Sequence, residues 1–237
     1  MDNKRYMIYN PPGDIMNKKI TAMPIREQLY EAVKESILRN AFIPGSLLQI
    51  DRLAEEYGVS ATPVREALVR LESDGLVTLI PNKGAQVTEI TEKDIREIWE
   101  MRRLLEPYAA RSSAPAIREE DIEELEGLIL NLRDDPSNTE LYIKTDIMLH
   151  EMLYFQCPNS YLRETLRKVH EVSYRIRYFA ESRKTMHDAV IHEVIREHLD
   201  ILDILRSRDP DRIVVAVSSH LLNGERRALS ALARNKS

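Results

Sequence analysis

Four residues scattered along the chain carry the chemistry that side-chain type and spacing make easiest to read: Asp146, His150, His198 and His220. Asp146 and His150 stand four apart, so on a helix both side chains project the same way. Each of the four lies within an apolar stripe. Tyr142, Ile143, Leu149 and Leu153 flank the first pair; Ile191, Val194, Ile195, Leu202 and Leu205 flank His198; Ile213, Val217 and Leu221 flank His220. A buried polar group without a partner is costly. Three imidazoles and a carboxylate meeting inside a helical bundle would satisfy one another through a divalent cation, zinc first, with nickel, manganese or iron as alternatives. The competing arrangement is an Asp–His pair and two unrelated, hydrogen-bonded core histidines. His187 falls near a helix start, and His170 and His192 fall at stripe margins; all three are set aside.

A second constellation lies earlier. Ser60, Thr62 and Arg65 open a short helix that follows Gly58. A helix that enters the DNA major groove by its N-terminal end offers hydroxyls, backbone N–H groups and a positive dipole end to phosphates. Arg65 lies off the apolar stripe of Val64, Leu68 and Leu71, so it should face outward, where an arginine can bridge guanine or hold phosphate. Arg52, Arg70 and Lys83 are further basic candidates, and Gly84 belongs to a turn that could reach an adjacent groove. Arg52 and Arg70 could equally be solvated or paired with nearby glutamates.

The elements that must position these residues follow from periodicity. Pro24 to Asn40 carries a helical stripe through Ile25, Leu29, Val33 and Ile37, with Thr21 a possible cap. A short helix begins near Asp51 as N-cap and stops at Gly58; the next, capped by Ser60 or Thr62, stops at Gly75. Two β-prone runs, 76–80 and 85–88, flank Pro81-Asn82-Lys83-Gly84 and predict a hairpin. From Thr91 onward the pattern is helical, with six helices at about 93–113, 119–134, 138–156, 159–182, 187–206 and 210–232. The expected fold is mainly α: an N-terminal winged helix-turn-helix followed by an all-α six-helix bundle. The expected boundaries are a flexible arm at 1–21, a DNA-binding domain at 22–88, a linker at 89–92, the bundle at 93–232 and a tail at 233–237.

The 237 residues carry a net charge of −5, spread as +2 over 1–21, −2 over 22–88 and −5 over the rest. DNA binding must therefore rest on where a few basic residues sit. A single cysteine, Cys157, excludes an intrachain disulfide framework, and no apolar run approaches the roughly 18 residues of a spanning helix. A cytoplasmic protein with no membrane role is expected.

The run Leu53-Ala54-Glu55-Glu56-Tyr57-Gly58-Val59-Ser60-Ala61-Thr62-Pro63-Val64-Arg65-Glu66-Ala67-Leu68, with Leu71-Glu72-Ser73-Asp74-Gly75-Leu76-Val77 and the wing at 81–87, resembles the winged-helix head of GntR-family transcription regulators. One departure stands out: the family usually places an arginine where this chain has Ala61, so a contact made by relatives is missing. The later segments, Asp146-Ile147-Met148-Leu149-His150, Cys157-Pro158-Asn159-Ser160, Glu197-His198-Leu199-Asp200 and His220, resemble the FCD effector-binding domain of the FadR-like branch. Six helices are closer to its VanR-type subgroup. The resemblance implies that Asp146, His150, His198 and His220 are metal ligands and that Arg102 is directed at an effector carboxylate. Arg103 is the alternative register, with a surface ion pair as its ordinary role. Tyr174, Arg175 and Arg177 make another helix unusually polar. The resemblance further implies a homodimer on double-stranded operator DNA, more often a repressor than an activator, that responds to a small organic acid. Two other readings compete: a metal-dependent enzyme with an appended DNA-binding head, and an interaction module with a structural metal. No additional carboxylate stands out as a general base, which favours binding over catalysis.

Overall fold

The computed structural model describes residues 23–182 and 188–234. The expected arm at 1–21, with Thr21, and His187 lie outside the described residues. The head comprises α1 (Ile25–Leu38), β1 (Leu47–Gln49), α2 (Ile50–Glu56), α3 (Ala61–Ser73), β2 (Val77–Ile80) and β3 (Gly84–Val87). Of the apolar stripes expected of α1 and α3, Leu29, Val33, Ile37, Val64, Leu68 and Leu71 are buried in its core, whereas Ile25, in the first turn of α1, is 59% exposed. Gly58, at φ +64°, takes the left-handed conformation that lets the chain turn from α2 into α3.

Two expectations need correction. The hairpin is part of a three-stranded antiparallel sheet, in the order β1-β3-β2. Leu48 pairs with Ala85 and Gln49 with Gly84. β1 is only three residues long, too short to show alternation, and is legible mainly through its partner. The second helix begins at Ile50 with Gln49 as N-cap, so Asp51 lies inside the first turn. Gly84 has a packing role: a Cβ there would stand 2.0 Å from the Leu48 carbonyl oxygen, so only glycine admits the close approach of β1.

The bundle follows as α4 (Glu92–Ser113), a 3-10 turn (Ala114–Ala116), α5 (Glu119–Asp134), α6 (Thr139–Phe155), α7 (Ser160–Ser182), α8 (Asp188–Ser207) and α9 (Pro210–Arg234). The described chain is thus mainly helical. Ile122, Leu125, Ile129, Leu149, Leu153, Leu202, Val217 and Leu221 belong to one continuous core. A smaller cluster of Ile90, Ile95, Trp99, Ile176, Phe179 and Leu232 lies where the head meets the bundle. There α7 also bonds the head directly. Lys34 pairs with Glu171 at 2.7 Å, and Arg175 donates to the Oγ1 and carbonyl oxygen of Thr88.

The connector at 89–92 ends in a reciprocal cap. Thr91 Oγ1 accepts from Asp94 N at 3.2 Å, and Asp94 Oδ2 accepts from Thr91 N at 2.8 Å. Thr91→Ala removes one half of this box and is expected to cost about 0.5–2 kcal/mol, read as a lower urea midpoint at unchanged slope.

Candidate metal centre and nucleic-acid interface

The core packing of α6, α8 and α9 aims their polar residues at one point. Asp146, His150, His198 and His220 are each at most 5% exposed. His150 Nε2 lies 3.8 Å from Asp146 Oδ2, and His198 Nε2 lies 3.7 Å from Asp146 Oδ1. His220 Nε2 lies 3.4 Å from His150 Nε2, and the His198 and His220 rings meet edge to face at 4.9 Å. Ligand nitrogens at about 2.0–2.1 Å from a tetrahedral cation are about 3.3–3.4 Å apart, so these separations have the scale of a coordination shell.

The tautomers fit a cation as well. His220 Nδ1 is 2.7 Å from Glu197, and His150 Nδ1 is 2.9 Å from Glu106. An ionised carboxylate only accepts, so in each ring the proton belongs on Nδ1 and the lone pair on Nε2. Two lone pairs then face each other across 3.4 Å, and His198 Nε2 is buried with no hydrogen-bond partner among the described residues. Such donors suit a shared cation; carboxylate-oriented histidines are the usual surroundings of a bound metal.

The grouping differs from the sequence expectation in one respect. Asp146, His198 and His220 form one cluster able to hold a metal; His150 falls instead in a second, with Glu106 and His170. His170, set aside from sequence, is buried, stacked on Tyr154 and 3.4 Å from Glu106. Glu106 was also missed. It stands one turn after Arg102 on α4, a spacing that reads as an exposed ion pair, yet both are buried. His192 is exposed.

Arg102 is held from three sides. Its Nε donates to Glu106 Oε1 at 2.5 Å, one terminal nitrogen donates to Ser173 Oγ at 2.8 Å, and the other lies 2.9 Å from His150 Nε2. It borders a small cleft lined also by Trp99, Asp146, Arg177, His220 and Arg227. Arg103 turns away and pairs with Glu225, which is the ordinary role of the alternative register. Among the polar residues of α7, Arg177 pairs with Asp146 at the cleft, Arg175 reaches the head, and the Tyr174 hydroxyl is buried with no hydrogen-bond partner among the described residues.

Burial holds His150 and His198 well below the ordinary imidazole value, drops His170 to about 3 and lowers His220. The rings are therefore neutral, the form that binds metal. Burial pushes the carboxyls of Glu106 and Glu197 up. Arg102 more than reverses this for Glu106, and bonds from His220 and Arg227 bring Glu197 to about 2. The histidine shifts have a sign. Below about pH 6.5 the unfolded chain takes up protons that the folded, metal-free chain refuses, so stability is full above that pH and falls beneath it. Each depressed histidine adds up to about 1.4 kcal/mol per pH unit. Urea unfolding of the metal-stripped protein at pH 7.5, 6.5 and 5.5 should show little change over the first interval and a clear loss over the second.

On the head, Ser60, Thr62 and Arg65 lie exposed at the start of α3, and Arg52 and Lys83 are exposed nearby. Ser60 is the N-cap residue but spends no side-chain bond on the helix. Arg65 and Lys83 face one open groove between α3 and the wing, and neither forms an ion pair among the described residues. Arg70 is engaged otherwise: it pairs with Glu27 and covers the Tyr30 ring at 3.9 Å, the alternative its sequence context left open.

Head and bundle together define a winged helix-turn-helix protein with a helical C-terminal domain. The FCD domain family matches residues 97–223, and the bacterial regulatory proteins of the gntR family match residues 25–87. The chain belongs to the GntR family, in the branch that carries an FCD domain, and is a DNA-binding transcription regulator rather than an enzyme. It is 26% identical over 200 residues to the HTH-type transcriptional repressor RspR of Escherichia coli K12, spanning 84% of this chain and 86% of that protein. It is 29% identical over 204 residues to the transcriptional regulator YdhC of Bacillus subtilis, spanning 83% and 88%. E. coli McbR/YncC has the same fold, at a TM-score of 0.73 and 22% identity, over 90% of this chain and 98% of that one. Among the described residues no helix is long and apolar enough to cross a membrane.

Proposed function

We propose that the chain is a cytoplasmic, metal-containing repressor that senses a small carboxylate. Asp146, His150, His198 and His220 hold one divalent cation, zinc first, and Arg102 takes the effector carboxylate. The observation that carries this reading is the approach of His150 Nε2 and His220 Nε2, 3.4 Å apart with both Nδ1 atoms on carboxylates. A bound cation supplies a charged anchor with open positions for carboxylate oxygens. Arg102, Arg177 and Arg227 line the same cleft, so an anion entering it meets guanidinium groups on α4, α7 and α9.

DNA is gripped by Ser60, Thr62 and Arg65 at the start of α3, with Arg52, Lys83 and the Gly84 turn beside them. The head spans 22–88 and the sensory domain 93–232. Two copies pair through the bundle. Met101, Leu104 and Tyr108 share one face of α4, Val215 and Leu222 share one face of α9, and all five are exposed. The Arg103–Glu225 and Arg111–Asp211 pairs hold the two helices side by side, making one apolar patch. A two-fold dimer presents two recognition helices to a pseudo-palindrome. The bonds from α7 to the head carry a change in the bundle to the heads, provided the effector binds the two states differently.

The test begins by selecting duplexes from a random pool with the zinc-loaded protein. The selected duplex is then titrated at fixed salt with and without a panel of small organic acids. At least one acid should change duplex affinity by about 5- to 150-fold. A failure to enrich any duplex would sink the operator reading. Acids that bind the loaded protein and leave duplex affinity untouched would sink the sensor reading and leave a structural metal.

A further inference from the structure

We propose that Glu106 is a positioning residue that serves metal and effector together: it fixes the tautomer of His150 and tethers Arg102. The inference rests on the metal reading above. Glu106 is fully buried, and its two oxygens have separate duties. Oε1 accepts from Arg102 Nε at 2.5 Å and lies 3.4 Å from His170 Nε2; Oε2 takes His150 Nδ1 at 2.9 Å. Because a carboxylate has no proton to give, His150 must carry its hydrogen on Nδ1 and turn its Nε2 lone pair toward His220 and Asp146. Glu197 does the same for His220, but its other partners are Asn223 and Arg227. Among the described residues only Glu106 joins one of these histidines to Arg102.

A competition follows. A terminal nitrogen of Arg102 lies 2.9 Å from His150 Nε2 and 3.2 Å from its Nδ1, so it rests over the face of the ring, where its positive charge opposes a cation at Nε2. A cation at His150 displaces that nitrogen, while the bond from Arg102 Nε to Glu106 keeps the arginine at the cleft. The displaced end becomes available to a carboxylate. Metal loading thus readies the effector arginine, and Glu106 is the pivot.

Glu106→Gln tests this sharply, because an amide has one acceptor oxygen where the carboxylate has two. The Arg102 cation takes the oxygen, the amide N–H₂ faces His150 Nδ1, and the ring must place its proton on Nε2. On the full chain stripped of metal, ring-nitrogen NMR of His150 should show hydrogen on Nδ1 in the wild type and on Nε2 in Glu106→Gln. Zinc affinity, measured against a chromophoric chelator, should fall about 10- to 100-fold. Arg102→Gln should hold or raise zinc affinity, since it removes the competitor. Should Glu106→Gln fold poorly with Arg102 left unpaired, the double variant Arg102→Gln/Glu106→Gln removes that charge and must still bind zinc more weakly than Arg102→Gln. Zinc binding by Glu106→Gln within threefold of wild type, or an unchanged His150 tautomer, overturns the proposal. Wild-type zinc affinity in Asp146→Asn and His198→Ala overturns the metal reading instead, and the tautomer result still judges whether Glu106 sets His150.

Discussion

Zinc added to the metal-stripped chain at about a thousand times its dissociation constant is expected to stabilise the folded state by about 4 kcal/mol. For a chain of this size that raises the apparent melting temperature by roughly 8–16 °C, and a chelator should reverse the rise. A low dissociation constant is expected because the apo site stores unfavourable contacts. Among the described residues His198 Nε2 has no hydrogen-bond partner, two imidazole lone pairs face each other across 3.4 Å, and all of it is buried. A cation resolves these at once, and the unfolded chain, with its ligands dispersed, gains little from the same ion. His198→Ala keeps most of the bundle packing and removes one ligand. Its melting temperature should respond to zinc by a small fraction of the wild-type rise, whatever its starting stability. Differential scanning calorimetry with and without zinc reads both. A wild-type chain whose melting temperature ignores zinc would remove the cation from the centre of the bundle.

The convergence of Asp146, His150, His198 and His220 was legible because two periodicities agreed. Asp146 and His150 share a face by their spacing of four, and that face is the one the apolar residues of α6 bury. The same logic placed His198 and His220. It failed where a helix is enclosed on more than one side. α7 packs against α1, α4, α6 and α9, so a residue at the margin of its main stripe, such as His170, is as buried as one at the centre. α4 hides Glu106 for the same reason. A glutamate four residues after an arginine is usually a solvated pair, and nothing local says that α6 and α7 cover both. The hinge of the head was plain in Gly58 and in the hydroxyls after it, whereas β1 gains its identity only from pairing with β3. Which polar side chain of α7 reaches the cleft and which reaches Thr88 is decided by the docking of head on bundle, a long-range fact that periodicity does not contain.

Arg65→Ala is expected to weaken binding of the selected duplex by about 1–3 kcal/mol for each half-site, hence roughly 2–6 kcal/mol for a dimer, thirtyfold or more. Arg65 is exposed on the second turn of α3, off the buried face of Val64, Leu68 and Leu71, and no carboxylate among the described residues competes for it. Ala61 has no polar side chain to share the base edges, so more of the discrimination falls on Arg65 than on one arginine of a pair. The loss should therefore depend on sequence: large on the selected duplex, small on a scrambled one. Lys83 is on the turn of the wing and should behave differently. Lys83→Ala should weaken all duplexes alike and reduce the salt slope by about one phosphate per copy. Arg70→Ala supplies the contrast, since its guanidinium is already committed to Glu27 and Tyr30. It should leave sequence preference intact and act through the packing of α3 on α1. Equal losses for Arg65→Ala on selected and scrambled duplexes would demote Arg65 to a phosphate contact and move sequence reading elsewhere on the head.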